Sequence, residues 1–363
     1  MVLTTRNNHV KNIQEINLEY IIRNGGSIYQ FLYFIDFKDI ILEIEKDYIR
    51  IPQYHVKGML MLAIAYHIEN IGYEKTLKKV SELDKDILNF KNEKFPSSSK
   101  LCDFVTKQLT VIKLENLMLK IASELYTILH KQVMIKIAHF DSTPIEASRY
   151  DKYALYNPHY KCKMYKGHIM MFGVVPLFMK YTIGTTNDKA IMPDFFKKIK
   201  PLKMKFHEVN LDAGYDSIEN FAQIWKIFDA KPNIAIREDA IIHNEGTIDS
   251  INKKINKAWK QGMNIRKPIL EKLDYLYNQG ELEIVGSYFR NQVINIGQGY
   301  SYPFRGHQER THANIKKRVK FDVRYVHNKN KELHCLWSFI SYQLLCLTAL
   351  QNNLKTDSFG FIF

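Results

Sequence analysis

Val133-Met-Ile-Lys-Ile-Ala-His-Phe-Asp141-Ser-Thr143 is where the hydrophobic period of this chain changes. Upstream, apolar residues recur at helical spacing. Here a β-rich run, residues 133–140, ends at Asp141. Downstream, residues 168–175 and 177–183 read as two strands joined tightly around Pro176. A helix at 190–199, a strand at 206–211 ending at Asp212, a helix at 217–228 and a short strand at 233–236 follow. Three strands followed by alternating helix and strand predict an α/β domain, a mixed sheet with flanking helices.

Working outward from that run, residues 1–130 read as helical throughout. Residues 56–71 are an apolar run with Gly72 as a stop, and 73–83 place Leu77, Val80 and Leu83 on one face. Pro96-Ser-Ser-Ser is a helix-start signal, since a hydroxyl there can cap exposed backbone N–H groups. The helix it opens, 99–109, turns Leu101, Phe104, Val105 and Leu109 inward and Lys100 and Lys107 outward. Leu114, Leu117, Met118, Ile121, Leu125 and Ile128 then mark a long amphipathic helix. This all-helical region is compatible with a helix-turn-helix-like reader of a DNA groove and equally with a plain helical bundle. Residues 237–300 break the sheet's rhythm, with a Lys-rich helical stretch at 253–272 and mixed strand-like segments after it. They read as an insertion. The core resumes with a helix at 303–319 and ends with 333–351. The expected organisation is a helical N-terminal region (1–130), a catalytic domain of the ribonuclease H-like order (131–236 and 301–352), the insertion (237–300) and a tail (353–363).

In 363 residues, 46% are hydrophobic, enough for a sizeable core. Lys and Arg number 52 against 38 Asp and Glu, a formal charge of +14 that favours a polyanionic partner, nucleic acid before an acidic membrane. Cys102, Cys162, Cys335 and Cys346 form no C-x-x-C pair and no zinc-finger spacing, which suits free thiols in a reducing cytoplasm. The polar N-terminus lacks the apolar stretch of a signal peptide. The longest apolar run, 336–350, is shorter than the ~20 residues of a membrane helix and reads as a buried C-terminal helix.

Asp141 and Asp212 each end an apolar strand, the latter in Val209-Asn-Leu-Asp-Ala-Gly-Tyr215, where Gly214 lets the backbone turn away sharply. Two such acids on neighbouring strands repel unless a cation neutralises them. Either one alone is better read as a turn cap. The third segment is Tyr302-Pro-Phe-Arg305-Gly-His-Gln-Glu309-Arg-Thr-His-Ala-Asn-Ile-Lys316. At ~100° per residue, Tyr302, Arg305, Glu309 and Lys316 share one helical sector of roughly 60°. A carboxylate flanked by an aromatic hydroxyl and two cations suits a phosphate lying across a bound metal. The competing reading is a surface Arg–Glu pair, and Pro303 and Gly306 allow the helix to start only after Gly306. Arg310, Lys317, Arg318, Lys320 and Arg324 extend the positive charge and could hold a DNA backbone in a salt-sensitive way.

Asp141-Ser-Thr, Asp212-Ala-Gly-Tyr and above all the Tyr302-x2-Arg305-x3-Glu309-x6-Lys316 spacing resemble the DDE transposases of bacterial and archaeal insertion sequences. Lys166-Gly-His168 and Thr186-Asn-Asp188 are similar to segments between that family's first two acids. The likeness covers about residues 133–350, and more weakly 57–109. The resemblance implies that Asp141, Asp212 and Glu309 hold two Mg²⁺ (or Mn²⁺) ions ~3.5–4 Å apart. It implies that Tyr302, Arg305 and Lys316 contact DNA, with Arg310, Lys317, Arg318 and Lys320 beside them. It further implies double-stranded DNA partners (terminal inverted repeats and target), a homodimer when two ends are paired, a prokaryotic cytoplasmic, nucleoid-associated setting and no membrane. In some relatives the insertion is β-rich and supplies a tryptophan that stacks on a flipped base; Trp259 lies instead in a Lys-rich helical stretch. Asp188 reads as a turn residue. Competing functions are a ribonuclease H-like nuclease without strand transfer, a non-catalytic DNA-binding derivative and, more remotely, a Lys-rich structural protein.

Overall fold

The computed structural model describes residues 38–46, 54–69, 71–84, 95–236, 240–259, 268–299, 301–323, 326–327 and 330–351. The expected tail at 353–363, Arg324 and the side chains of Trp259 and Arg305 lie outside the described residues. The chain divides into two compact units, 1–125 with 313–363, and 126–312. The expected division differs: the C-terminal helix groups with the N-terminal helices and not with the sheet, because its packing partner is helix 56–69.

In the first unit, α1 is Lys38–Glu45, α2 Val56–Glu69, α3 Tyr73–Asp84 and α4 Ser98–Asp103. Ser97 caps α4, its hydroxyl accepting from the Lys100 N–H at 3.3 Å. The expected continuous helix to Leu109 changes instead into a π-turn at Phe104–Gln108. α5, Val111–Gln132, follows. The last helix of the chain, Lys331–Gln351, is long and apolar enough to cross a membrane, yet 94% of that window is buried within the protein. It acts as a core helix: Trp337 stacks on His67 of α2 at 5.9 Å and donates its indole N–H to the Val105 carbonyl at 3.1 Å. The four cysteines are free, as expected.

This helical core holds two buried histidines whose rings lie 5.0 Å apart, His67 and His334. Burial pushes the His334 imidazole down to about 4, with the neighbouring Lys320 charge adding to it. In the unfolded chain the same group titrates near 6.5. Between those values the unfolded chain binds more protons than the folded one, so stability is full above pH 6.5 and is lost on acidification toward pH 4. Urea unfolding should therefore show about 2–3 kcal/mol less stability at pH 4.5 than at pH 7.5 from this residue alone. His334→Gln should flatten that loss, and an unchanged pH profile would contradict the assignment.

In the second unit, β1 is Ile137–Glu146, β2 Leu155–Asn157, β3 Cys162–Phe172, β4 Val175–Ile183, β5 Glu208–Leu211 and β6 Lys231–Ile234. Among the described residues these six form one mixed sheet, ordered β2-β3-β1-β5-β6 with β4 also on β3. β1–β3, β3–β4 and β2–β3 are antiparallel; β1–β5 and β5–β6 are parallel. The β3–β4 turn falls at Gly173, whose φ of 58° suits glycine, and not around Pro176, which sits inside β4 opposite Met171. α6, Asp188–Ile199, and α7, Ile218–Phe228, follow β4 and β5.

Period-2 alternation puts Ala138 and Phe140 on one face of β1 and His139 and Asp141 on the other. Phe140 meets Phe195 and Phe196 of α6 and Phe228 of α7 with ring centroids 5.1–6.4 Å apart, forming an aromatic core under the sheet. On the opposite face a buried polar network crosses the parallel strands. The Asn233 amide donates to Asn210 at 2.7 Å, Asn210 donates to Ser301 Oγ at 2.9 Å, and the Gly299 N–H donates to Asn233 at 2.9 Å. Ser301 Oγ also donates to Glu208. A Cβ on Gly299 would stand 2.7 Å from the Glu208 carboxylate, so any larger residue there would have to displace that carboxylate.

The expected strand-like segments in 237–300 are helices: α8 is Ile248–Trp259, α9 Ile269–Asn278 and α10 Leu282–Ile296. α10 packs backbone to backbone on α7, where a Cβ on Gly286 would fall 1.9 Å from the Ile218 carbonyl oxygen. Val285, Phe289 and Val293, one helical turn apart, turn inward.

Candidate active site

The site stands where the parallel pairing of β1 and β5 stops. Phe140 is paired with Leu211, so Asp141 and Asp212 are the next residues on adjacent strands. They share the face of His139 and Asn210, on strands ~4.8 Å apart. Asp141 is not at a strand end, as expected from the sequence, but inside β1. The antiparallel partner β3 carries β1 five residues further, to Glu146, after β5 has ended. Each carboxylate accepts from the N–H of the next residue through Oδ1, Ser142 at 2.8 Å and Ala213 at 2.7 Å. Both are partly buried. Two carboxylates so placed raise each other's energy, and a cation between them removes that cost.

Gly214 does not have the left-handed backbone expected of a sharp turn. Its role is space: a Cβ there would meet the Asp188 carboxylate at 3.1 Å. Asp188 in turn is not a turn residue. It opens α6 behind the Asn187 cap. Its Oδ1 pairs with Lys166 at 3.0 Å and lies 3.4 Å from His168 Nδ1. His168 Nε2 is 2.9 Å from Thr182 Oγ1, and burial pushes the imidazole down to about 4. The buried Tyr215 hydroxyl is held protonated by burial and by the charges of Asp188, Asp141 and Asp212, and it hydrogen-bonds Ser142. The same three aspartates, after burial, raise the Tyr160 hydroxyl. Asp141, Asp188 and Asp212 thus act on the same two phenols. The sequence showed Lys166 and His168 only as a familiar tripeptide; their alternation along β3 puts both on the face that meets Asp188.

The third expected acid lies on α11, Gly306–Arg318. Tyr302–Arg305 form a separate 3-10 turn before it, so Tyr302, Arg305, Glu309 and Lys316 do not form the single helical stripe expected. Pro303 and the start at Gly306 explain the break. Ser301, in the polar network, anchors the entry to this turn. Thr311 Oγ1 donates to the Val174 carbonyl at 3.0 Å. His312 Nδ1 stands 3.9 Å from Asp141 Oδ2. Glu309 precedes His312 by three residues, which are neighbours on a helix surface; its side chain is exposed. Among the described residues no three His, Cys, Asp or Glu side chains form a group able to hold a metal ion. Asp141 and Asp212 are together, and Glu309 is not grouped with them in this arrangement. Tyr302 is half-buried, Arg310, Lys316 and Lys317 are exposed, and Arg318 and Lys320 are half-buried. Lys320 lies over the Tyr66 ring at 5.5 Å.

Carboxylate oxygens such as those of Asp141 and Asp212 are the ligand type that hard divalent cations, Mg²⁺ or Mn²⁺, prefer. No family model and no curated protein matches the sequence. Among solved structures the chain is similar to the piggyBac transposase synaptic complex with hairpin DNA. The identity is 11%, over 91% of this chain and 84% of that one, with a TM-score of 0.30. Two chains at that score need not share a fold.

Proposed function

We propose that this chain is a DNA transposase of the DDE kind, cutting and rejoining strands at the ends of its own mobile element. The observation that carries the reading is the pair Asp141 and Asp212, side by side on one face where β1 and β5 cease to pair. The strand order supports it: four strands joined by antiparallel pairing (β1–β4), then two parallel ones reached through α6 and α7, an order consistent with a ribonuclease H-like sheet. The +14 charge and the Tyr302-x2-Arg305-x3-Glu309-x6-Lys316 spacing support it further.

In this reading Asp141, Asp212 and Glu309 would hold the ions, Glu309 from the exposed surface of α11 one turn before His312. Two Mg²⁺ (or Mn²⁺) ions, when bound, supply Lewis acidity and an activated water or DNA 3′-hydroxyl for in-line displacement at phosphorus. Arg305 and Lys316 hold non-bridging phosphate oxygens and Tyr302 donates a hydrogen bond beside them. Arg310, Lys317, Arg318 and Lys320 track the DNA backbone, so affinity should fall steeply with salt. Lys166 and His168 keep Asp188 engaged, leaving Asp141 and Asp212 to the metal. Pairing two inverted repeats calls for two copies of the chain. The test is a strand-transfer assay with a pre-cleaved DNA end. Metal-dependent joining to target DNA is expected; hydrolysis without joining would identify a nuclease instead, and neither would overturn the reading.

A further inference from the structure

Between β1 and β3 the chain makes an excursion, residues 147–161, that the acids and the basic helix do not account for. Its backbone is tied down. Asp151, 6% exposed, accepts from the N–H groups of Tyr153 at 2.9 Å and Ala154 at 3.3 Å and from the Tyr165 hydroxyl at 3.2 Å. Lys163 Nζ donates to the Asp151 carbonyl at 2.7 Å. Asn157 accepts from the N–H groups of His159 at 3.0 Å and Tyr160 at 3.3 Å. Lys161, in the left-handed region at φ 52°, closes the turn into β3.

On this fixed strap four tyrosines face solvent: Tyr150 is 74% exposed, Tyr153 66%, Tyr156 57% and Tyr160 41%. A strap stabilising only itself would bury such rings, because each could remove a large apolar area from water. The charges beside them are Arg149, Lys152 and Lys161, while the acid of the segment, Asp151, is turned inward. The Arg149 guanidinium lies 4.6 Å over the Tyr150 ring. The strap runs directly into β3, whose Ile169 pairs with Asp141 on β1.

We propose that this tyrosine strap is a stacking platform for unpaired nucleotides of a single-stranded segment leading to the aspartates. Exposed aromatic faces interleaved with cations are the chemistry of sequence-tolerant single-strand binding: bases stack on the rings and phosphates lie on the cations. A duplex keeps its base faces covered and has no use for the rings. The strap rests on the transposase reading only in making the held strand the one that is cut.

The test is fluorescence anisotropy with labelled oligothymidylate and, separately, a blunt duplex. The protein is compared with Tyr150→Ala/Tyr153→Ala/Tyr156→Ala and with the same positions changed to Phe. The alanine variant should bind oligothymidylate about tenfold more weakly or worse, with duplex affinity held within about twofold; the phenylalanine variant should keep its affinity. Equal oligothymidylate binding by the protein and the alanine variant, or no binding by either, overturns the strap. If the alanine variant loses the oligonucleotide while the protein shows no metal-dependent cutting, the strap stands and the transposase reading falls.

Discussion

Asp212→Asn should reduce metal-dependent strand cleavage by at least about a thousandfold while leaving the chain folded, as several kcal/mol of transition-state stabilisation are lost with the metal. Asparagine keeps the shape and the Oδ1 that accepts the Ala213 N–H. It removes only the charge. Without metal, Asp212 lies beside Asp141 on the same sheet face, and like charges so close destabilise the fold. The variant should therefore be as stable as the parent protein or more stable in the absence of divalent ions, and it should no longer gain stability when they are added. Asp141→Asn should behave alike. Cleavage within tenfold of the parent protein would show that the pair is only a strand-end feature.

The largest loss of stability is expected at Arg290. From α10 its guanidinium reaches the loop after Asp212, pairing Nε with Asp216 Oδ1 at 3.0 Å and Nη2 with Asp216 Oδ2 at 3.1 Å, while Nη1 donates to the Ile241 carbonyl at 3.1 Å. Both side chains are nearly out of solvent, at 10% and 13% exposure. Arg290→Ala leaves the Asp216 carboxylate buried without its cation, at a cost of about 3–5 kcal/mol. Replacing both partners by apolar residues of similar volume, Arg290→Met with Asp216→Leu, should cost clearly less than either single change, because no charge is stranded. Urea unfolding of the parent protein, Arg290→Ala, the two single changes and the double variant tests this; a loss below about 1 kcal/mol for Arg290→Ala would contradict the pairing. The pair also explains why a helical insertion can matter to the site: Asp216 is four residues from Asp212, and α10 holds the loop between them.

The sheet was legible because β1 and β5 carry apolar runs broken by an acid, and because α6 and α7 have clear helical period. The position of Asp141 within its strand was not legible, since the length of β1 is set by its antiparallel partner β3 and not by its own residues. The residues after 272 misled for a related reason. Ile284, Val285, Tyr288, Phe289 and Val293 favour strands by composition, whereas in the fold they form a buried helical face with Gly286 close against α7. Pro303 and Gly306 signal the break in the Tyr302–Lys316 stripe, which falls between Arg305 and Gly306. Asp188 could not be read from its neighbours, because its partners Lys166 and His168 lie some twenty residues away along the chain and reach it only through the β3–β4 hairpin. The tyrosine strap is not legible because its rings recur at 150, 153, 156 and 160, a spacing that a helix would also give, whereas the chain there forms turns and the short strand β2.

The central claim is that Asp141, Asp212 and Glu309 share divalent cations. A crystal structure of the protein soaked in Mn²⁺, with anomalous data collected at the manganese edge, tests it most directly. The account predicts manganese peaks against the Asp141 and Asp212 carboxylates, with the Glu309 side chain turned in to join them. Manganese absent from that face, or bound there while Glu309 stays in solvent, would contradict it.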